Sequence, residues 1–352
     1  MTWMRAFFLA ATAVLLCGCA TPIGYLAKQG RYLLRYSTGA KNAESLIASP
    51  TTDAETRDFL LRAREIRRFA FERIGLRENG NFARYREVDR EYLVSVVSAC
   101  DAVSFDGYTW RYPFLGRLPY RGYYEREDAN TEASRLKTEG WDVIVRPVDS
   151  FSTLGFTRDP LYSFMKKYSS FELASLIMHE QTHATLFVKG QAQFNEELAT
   201  FVGEEGAFAW LRDAQGVDSP AYRAALNEIA DSETFVALLR DLAGTLDREY
   251  RAPLSREEKL ARKREIIAAF RQSFESGNGK RFRTETYRTM DAPRVNNAYL
   301  ALFSLYSDDV PLIRSYCEKV CGGDPRRLLV DARAFARRGD VKAQMRRALG
   351  AS

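Results

Sequence analysis

Apolar residues recur at helical spacing along most of the chain. Between residues 53 and 74 they fall on one face at every third or fourth position, and Gly75 follows as a stop signal. The same kind of pattern predicts further helices over residues 25–47, 128–139, 171–188, 196–211, 220–274 and 296–306. The charged stretch 220–274 is interrupted at Ala252-Pro253, which predicts a helical hairpin or an inserted helical bundle.

A few short stretches alternate instead between apolar and polar residues. Residues 92–99 are rich in valine, and residues 141–148 place valines against polar neighbours, so both are predicted to be strands. A third, partly polar strand is predicted at residues 152–155. Together the patterns indicate an α+β fold that is predominantly helical, with a small β-sheet and a helical insertion over residues 215–282.

The first residues are typical of a targeting segment. Arg5 precedes an apolar run, residues 6–16, that is too short to span a bilayer. The run leads into Cys17-Gly18-Cys19, and with the preceding leucine this resembles the lipobox of bacterial lipoproteins. In that motif the last cysteine is alkylated with diacylglycerol and becomes the first mature residue.

We therefore predict a lipoprotein signal peptide over residues 1–18 and a mature domain over residues 19–352, tethered to a membrane by lipid on Cys19. Ala20 at the next position, where an aspartate is absent, is typical of delivery to the outer membrane. The predicted location is the bacterial cell envelope, at the outer membrane facing the periplasm. A plain signal peptide cut further along is the alternative.

Composition is that of an ordinary folded protein. The 352 residues carry a formal net charge of +6, and charged residues make up 28% of the chain. Basic residues alternate with acids, as in the segments 256–259 and 262–265, which is typical of solvated helix faces. No basic stripe of the kind that binds nucleic acid is present, so nucleic acid is not an expected partner.

Three cysteines remain after the predicted signal peptide: Cys100, Cys317 and Cys321. An oxidising compartment permits disulfides, and the four-residue spacing of Cys317 and Cys321 is compatible with a bridge at a helix end. Two free thiols on a helix are the alternative, and the sequence leaves both open. A second metal site there is not favoured, because no histidine remains to complete it.

The only two histidines of the chain lie in one run, His179-Glu180-Gln181-Thr182-His183. Residues four apart share a helix face, so both imidazoles can bind one metal ion. This is the HExxH pattern of zinc peptidases, in which the glutamate beside the first histidine takes a proton from the attacking water. The run predicts one Zn²⁺ per chain, held by His179 and His183, with Glu180 as the general base.

A third ligand is needed, and with no histidine left it must be a carboxylate or a thiolate. Asn195 can cap the next predicted helix, which begins with Glu196 and Glu197. The residues in phase with Glu196 are all small: Ala199, Thr200, Gly203, Gly206 and Ala207. Those in phase with Glu197 are bulkier or charged: Phe201, Glu204 and Phe208. Because small residues let two helices approach closely, Glu196 is the predicted ligand and Glu197 the fallback. Thr200 is a candidate acceptor for an imidazole N–H.

The chain resembles the bacterial putative aminopeptidase family, whose HExxH site is followed by an Asn-Glu pair, here Asn195-Glu196. The matching segments span most of the mature chain: residues 179–190, 194–202, 119–123, 152–155, 159–161 and 296–298. The resemblance implies a zincin-like metallopeptidase acting on peptides. The Gly-x-Met-Glu-Asn run with which familiar zinc aminopeptidases bind a free amine is absent from the sequence.

Substrate-binding groups can be named only as candidates. With both histidines used as ligands, the oxyanion of the reaction needs another donor, and the candidates are Tyr120, Arg121, Tyr123, Asn296 and Asn297. The strand at 152–155 can align a peptide by backbone pairing. Residues 220–274 can cover the cleft, and acids within them can bind a substrate amine: Glu228, Glu233 and Asp241.

The sequence therefore predicts a zinc-dependent aminopeptidase that cuts short peptides near their amino end. A zinc endopeptidase or another amidase keeps the same metal chemistry and remains open. A catalytically inert envelope module that binds a partner is the other alternative, and the intact Glu180 argues against it.

Overall fold

A computed structural model of the chain describes residues 22–112, 116–149, 158–288, 295–305 and 310–350. The predicted signal peptide, Cys19 and the predicted strand at 152–155 lie outside these residues. Within them the fold is predominantly helical with small sheets, as the sequence predicts.

The helices account for most of the described residues. They are α1 (Pro22–Ser37), α2 (Ala43–Ala48), α3 (Ala54–Phe69), α4 (Arg126–Thr138), α5 (Ser170–Thr185), α6 (Ala192–Gln215), α7 (Pro220–Arg251), α8 (Arg256–Ser276), α9 (Glu285–Arg288), α10 (Asn297–Leu305), α11 (Val310–Lys319), α12 (Pro325–Ala336) and α13 (Val341–Gly350). Helix α3 continues as a π-helical turn, Ala70–Ile74, and ends where Gly75 adopts a φ of 80°. In the part of the chain that the structure describes, no helix is both long and apolar enough to cross a bilayer.

The strands are short and form three small sheets. They are β1 (Lys41–Asn42), β2 (Arg84–Arg86), β3 (Val94–Asp101), β4 (Trp110–Tyr112), β5 (Gly116–Leu118), β6 (Arg121–Tyr123), β7 (Trp141–Val148) and β8 (Leu161–Tyr162). One sheet has the order β6-β3-β7 and is antiparallel, another has the order β1-β2-β8, and β4 pairs with β5. In the first sheet Val97 lies opposite Val145 and Val96 opposite Arg146.

Strand β3 is buried along almost its whole length because both faces of its sheet are covered. Val97 and Val143 pack with Leu136 of α4 on one face. On the other face Cys100 and Ile144 pack against α10. Burial on both faces explains why this strand has a continuous valine-rich run rather than strict alternation.

The largest core cluster surrounds α5. Leu173 and Ile177 of this helix are fully buried among side chains of α3, α6 and the C-terminal helices α11 to α13. Packing on this scale holds α5 rigidly, so side chains on its remaining face are presented in fixed positions.

The helical hairpin predicted within residues 215–282 is formed by α7 and α8. Ser255 begins α8 with a capping box to Glu258, directly after the predicted break. The hairpin has an apolar cluster of its own, shared with α10. An ion pair between Lys263 and Asp142 fastens it to the β3–β7 sheet, and a hydrogen bond from Tyr250 to Asn297 fastens it to α10.

Several predicted helix boundaries are wrong. Residues 25–47 form two helices rather than one, because the chain turns at Gly39, which adopts a φ of 75°, before strand β1. The helix predicted at 171–188 ends at Thr185, where Leu186 turns to an extended conformation. The next helix begins at Ala192 rather than at residue 196.

Candidate metal centre

Helix α5 carries both histidines and is fixed at its start by a reciprocal cap. The Ser169 hydroxyl accepts from the Glu172 backbone N–H at 3.1 Å, and the Glu172 carboxylate accepts from the Ser169 N–H at 2.7 Å. The capping box satisfies two backbone donors that the helix leaves unpaired. Three turns later His179 and His183 lie on one face of the same helix, as their spacing predicts.

Three donor groups converge at this face. The Nε2 atoms of His179 and His183 are 3.1 Å apart. Carboxylate oxygens of Glu196, from α6, lie 3.7 Å from His179 Nε2 and 3.5 Å from His183 Nε2. Tetrahedral ligands with zinc bonds near 2.1 Å are about 3.4 Å apart, so these distances suit one zinc ion. Two nitrogens and one carboxylate oxygen are also a donor set that zinc accepts.

Asn195 sets the position of Glu196. Its side-chain oxygen accepts from the Val188 N–H at 2.8 Å, and its side-chain amide donates to the Val188 carbonyl at 2.9 Å. The pair of bonds fastens the loop between α5 and α6 to the first turn of α6. The expected role of Asn195 as a helix cap is therefore wrong, because α6 already begins at Ala192.

Glu196 and Glu197 differ in their surroundings. The side chain of Glu196 is 39% exposed and faces the histidines. Glu197 is fully buried, pairs with Lys342 of α13 at 3.2 Å, and accepts from Gln193 at 2.9 Å. The carboxylate of Glu197 thus joins the C-terminal helix to α6 on the side away from the imidazoles.

The small residues of α6 allow the close approach that the sequence predicts. A Cβ atom at Gly203 would lie 2.9 Å from the Ser175 carbonyl oxygen and 3.3 Å from His179 Cβ. One at Gly206 would lie 2.4 Å from Met178 Sδ. Only a glycine at position 203 therefore lets the backbone of α6 touch α5 one turn before His179.

The charges of the cluster act on one another. Burial and the neighbouring His179 hold the pKa of His183 below its ordinary value. Burial also acts to lower the pKa of His179. The hydrogen bond to Glu196 and the charges of nearby carboxylates outweigh that effect, so the pKa of His179 is raised. Burial favours protonation of Glu196, yet both histidines and Arg146 together hold its pKa low. A neutral His183 and an ionised Glu196 are the forms that bind metal.

A cavity of about 420 Å³ opens beside the cluster. His179 and Glu180 line it from α5, together with Glu172 from the first turn of that helix. Glu228 of α7 and Tyr287 of α9 line the facing side. Helix α7 of the hairpin therefore lines the cleft, and burial together with Glu172 raises the pKa of Glu228.

A model of a family described as putative aminopeptidase matches residues 24–347. The chain belongs to this putative aminopeptidase family. Neither a curated protein nor a solved structure matches the chain. The match includes the candidate metal centre and the helical hairpin of this family member.

The predicted oxyanion donors have other partners in this aminopeptidase-family chain. Arg121 and Tyr123 of β6 pack with Tyr25, and Arg121 also pairs with Glu132 at 3.8 Å. Tyr120 precedes the same strand and is 37% exposed. Arg121 and Tyr123 belong to the sheet, and Tyr123 also to the cluster that the sheet shares with α4. None of the three residues lines the cavity beside the histidines.

The two asparagines hold α10 against the sheet. Asn296 accepts from the Tyr299 N–H and donates to the Val143 carbonyl. Asn297 is fully buried and donates to the carbonyls of Asp101 and Ser104. Their hydrogen-bonding capacity is thus used in packing.

Thr200 and the three cysteines make none of the predicted contacts. Thr200 lies on α6 one turn after Glu196, and no hydrogen bond joins its hydroxyl to an imidazole. Among the described residues, the buried His183 Nδ1 has no hydrogen-bond partner. Cys317 and Cys321 are buried free thiols, as is Cys100.

Sequence reasoning missed two charged residues near the cluster. Burial raises the pKa of Glu204 to about 7, against the opposing charges of Arg314 and His179. Arg146 of β7 acts electrostatically on Glu196. The sequence placed Arg146 on a predicted strand, residues 141–148. It did not show which part of the fold that face of the strand would contact.

We expect Gly203→Ala to weaken both stability and metal binding, because the new methyl group meets backbone atoms of α5. Overpacking of this kind costs about 1–3 kcal/mol. Gly244→Ala is the matched control: it lies within α7, its Cβ meets nothing within 4 Å, and it should gain about 0.5–1 kcal/mol. Thermal unfolding and zinc titration measure both variants. Equal zinc affinity in the Gly203 variant and wild type would show that helix spacing does not control the site.

Proposed function

We propose that this chain is a zinc-dependent aminopeptidase that acts on short peptides. The observation that carries the proposal is the convergence of His179, His183 and Glu196 at distances that suit zinc, with Glu180 beside them in a cavity. Family membership supports the peptidase part, since the family is described as putative aminopeptidase.

A zinc ion bound by these ligands would supply Lewis acidity, which lowers the pKa of water and polarises the substrate carbonyl. Glu180 adjoins His179 on α5 and is almost fully buried. Its role is to accept a proton as water attacks the carbonyl carbon, and then to deliver that proton to the leaving amine.

Peptide hydrolysis and bound zinc should be lost together and regained together. Dialysis against a chelator should abolish peptide hydrolysis, and one equivalent of zinc should restore it. The measurement is the zinc content per chain alongside the hydrolysis rate of a leucyl peptide. Full hydrolysis by metal-free protein would refute the zinc part of the proposal.

The amino end of the substrate is assigned to the acid-lined part of the cavity. Glu228 faces the cleft from α7, where burial raises its pKa, and an ammonium group beside it would offset the cost of keeping it ionised. Glu228 is one of the three acids that the sequence suggested for this role. The other two, Glu233 and Asp241, are exposed and do not line the cavity.

We expect one peptide with a free amine to be cut faster than its N-acetylated form. Glu228→Gln should lower kcat/KM for the free peptide by about 10- to 100-fold, since a charge-assisted hydrogen bond is lost, and leave the acetylated peptide unaffected. Glu233→Gln is the control on the same helix. Equal cleavage of both wild-type substrates, at internal bonds, would indicate an endopeptidase and leave the zinc chemistry intact.

The predicted anchor belongs to the same proposal. Lipid on Cys19 would hold the enzyme at the outer membrane facing the periplasm, where short peptides are available as substrates. Mass spectrometry of the mature amino terminus tests this. A terminus beyond Cys19 without added lipid mass would contradict it.

A further inference from the structure

The cavity beside the candidate metal centre extends along helix α5, away from the histidines. Neighbouring pairs of residues that recur every four positions share one face of a helix and form this wall of the cavity. They are Phe171 and Glu172, Ser175 and Leu176, and His179 and Glu180. An α-helix rises about 1.5 Å per residue, so the wall begins about 12 Å before His179 along the helix axis. The cavity therefore offers space on one side of the metal ligands for a group of the substrate.

Apolar side chains from three elements line this space. Leu176 of α5 lies one turn before Glu180, Ile229 belongs to α7, and Val148 belongs to β7. All three pack against the main core, yet each remains only partly buried. Apolar surface that is still wet inside a concave site is removed from water when an apolar group covers it, and this favours binding of such a group.

The charges of the cavity oppose acidic side chains and leave the apolar walls as the main attraction. Its acids are Glu172, Glu180 and Glu228, and no lysine or arginine is among the described residues that line it. Each acid already has a role. Glu180 is the proposed base and Glu228 the proposed partner of the substrate amine, while Glu172 accepts from the Ser169 N–H at 2.7 Å in the cap of α5.

We propose that Leu176, Ile229 and Val148 form an apolar pocket for the side chain of the substrate's first residue, so that the enzyme selects large apolar residues there. The inference rests on the proposed function, which places the amine of that residue at Glu228 and its carbonyl at the metal. The same Cα atom carries the amine, the carbonyl and the side chain. The side chain therefore enters the cavity between these two points, where the apolar pocket lies.

The first test compares dipeptides that differ only in their first residue, each followed by glycine. Leucine and norleucine should exceed alanine by about 10- to 100-fold in kcat/KM, because the longer side chains bury more methylene groups. Lysine has the stem of norleucine with an added ammonium, which would lose water against apolar walls, so the lysyl dipeptide should be the slower of the two. The glutamyl dipeptide should be slowest. Faster hydrolysis of the lysyl than of the norleucyl dipeptide would show that the acids select the side chain, and would overturn the inference.

Substitutions of Ile229 in two directions test the pocket itself. Ile229→Phe narrows it and should lower the leucyl-to-alanyl ratio of kcat/KM by about 10-fold. Ile229→Ala widens it and should raise the tryptophyl-to-leucyl ratio by a similar factor. Leu226 provides the matched control, because it lies on the same helix, is 46% exposed and does not line the cavity. Leu226→Phe and Leu226→Ala should leave both ratios unchanged.

Ratios between substrates separate selection from stability, because a loss of folded protein slows every dipeptide equally. Unchanged ratios in both Ile229 variants would therefore refute the pocket. Zinc content is measured alongside. If wild type holds zinc and hydrolyses all the dipeptides at equal rates, the pocket is refuted and the zinc peptidase stands. If wild type hydrolyses none of them, the proposed function itself fails, and the inference fails with it.

Discussion

Glu180→Gln should retain zinc and lose peptide hydrolysis by about 10²- to 10⁴-fold. Glutamine has the same shape as glutamate but cannot accept a proton, so it cannot serve as a general base. Glu180 is not among the three groups that converge as candidate ligands, and the metal should therefore stay bound. Single-turnover hydrolysis of a leucyl dipeptide and zinc content per chain measure the two effects separately.

Glu233→Gln is the control for this variant, because it makes the same chemical change at an exposed position of α7. Its rate should equal that of wild type. If Glu180→Gln retained most of its activity, Glu180 would not be the base. If it lost zinc along with activity, the loss could not be assigned to proton transfer.

The second large effect concerns the metal. Glu196→Gln and His183→Ala should each weaken zinc binding by more than about 100-fold, because losing a ligand exceeds the 10- to 100-fold effect typical of an outer-shell residue. Glu197→Gln should instead bind zinc as wild type does. Its effect should be on stability, since it leaves the ammonium of Lys342 without its buried partner. Competition with a chromogenic chelator gives the affinities, and thermal unfolding gives the stabilities.

The zinc affinities of the Glu196→Gln and Glu197→Gln variants together decide which carboxylate binds the metal. Zinc loss in Glu197→Gln together with full binding in Glu196→Gln would show that the wrong carboxylate has been chosen. Full zinc occupancy in His183→Ala would remove the metal assignment altogether.

Much of helix α5 could be predicted because its features are local. A pair of residues four apart on a helix shares a face whatever surrounds it, so His179 and His183 could be grouped from sequence alone. The Ser169 cap is likewise decided within one turn. Strand β7 was also found with its observed bounds, because alternation of apolar and polar residues is a property of the strand itself.

The contact between α5 and α6 could be foreseen for a different reason. A run of small residues on one helix face indicates close packing, and Gly203 does touch the backbone of α5. The sequence therefore favoured Glu196 over Glu197 before their surroundings were known. It did not indicate that Lys342, 145 residues away in the chain, would pair with Glu197.

Other groups around the site depend on which distant segments meet, and local periodicity carries no such information. Asn195 was expected to cap a helix, but the loop that follows α5 brings the Val188 backbone within its reach. Asn297 was a candidate oxyanion donor, yet packing of α10 on the sheet uses its hydrogen bonds.

The chain by itself determined the HExxH helix, the adjacent ligand candidates and the predominantly helical class, because each follows from spacing within a few turns. Only the tertiary structure decided that Glu228 faces the cavity, and that the charge of Arg146 acts on Glu196. Helix α7, which carries Glu228, and strand β7, which carries Arg146, are separate from α5 and α6 in the chain. Their positions follow from how α7 and the β3–β7 sheet pack around α5, and that packing is a property of the whole core.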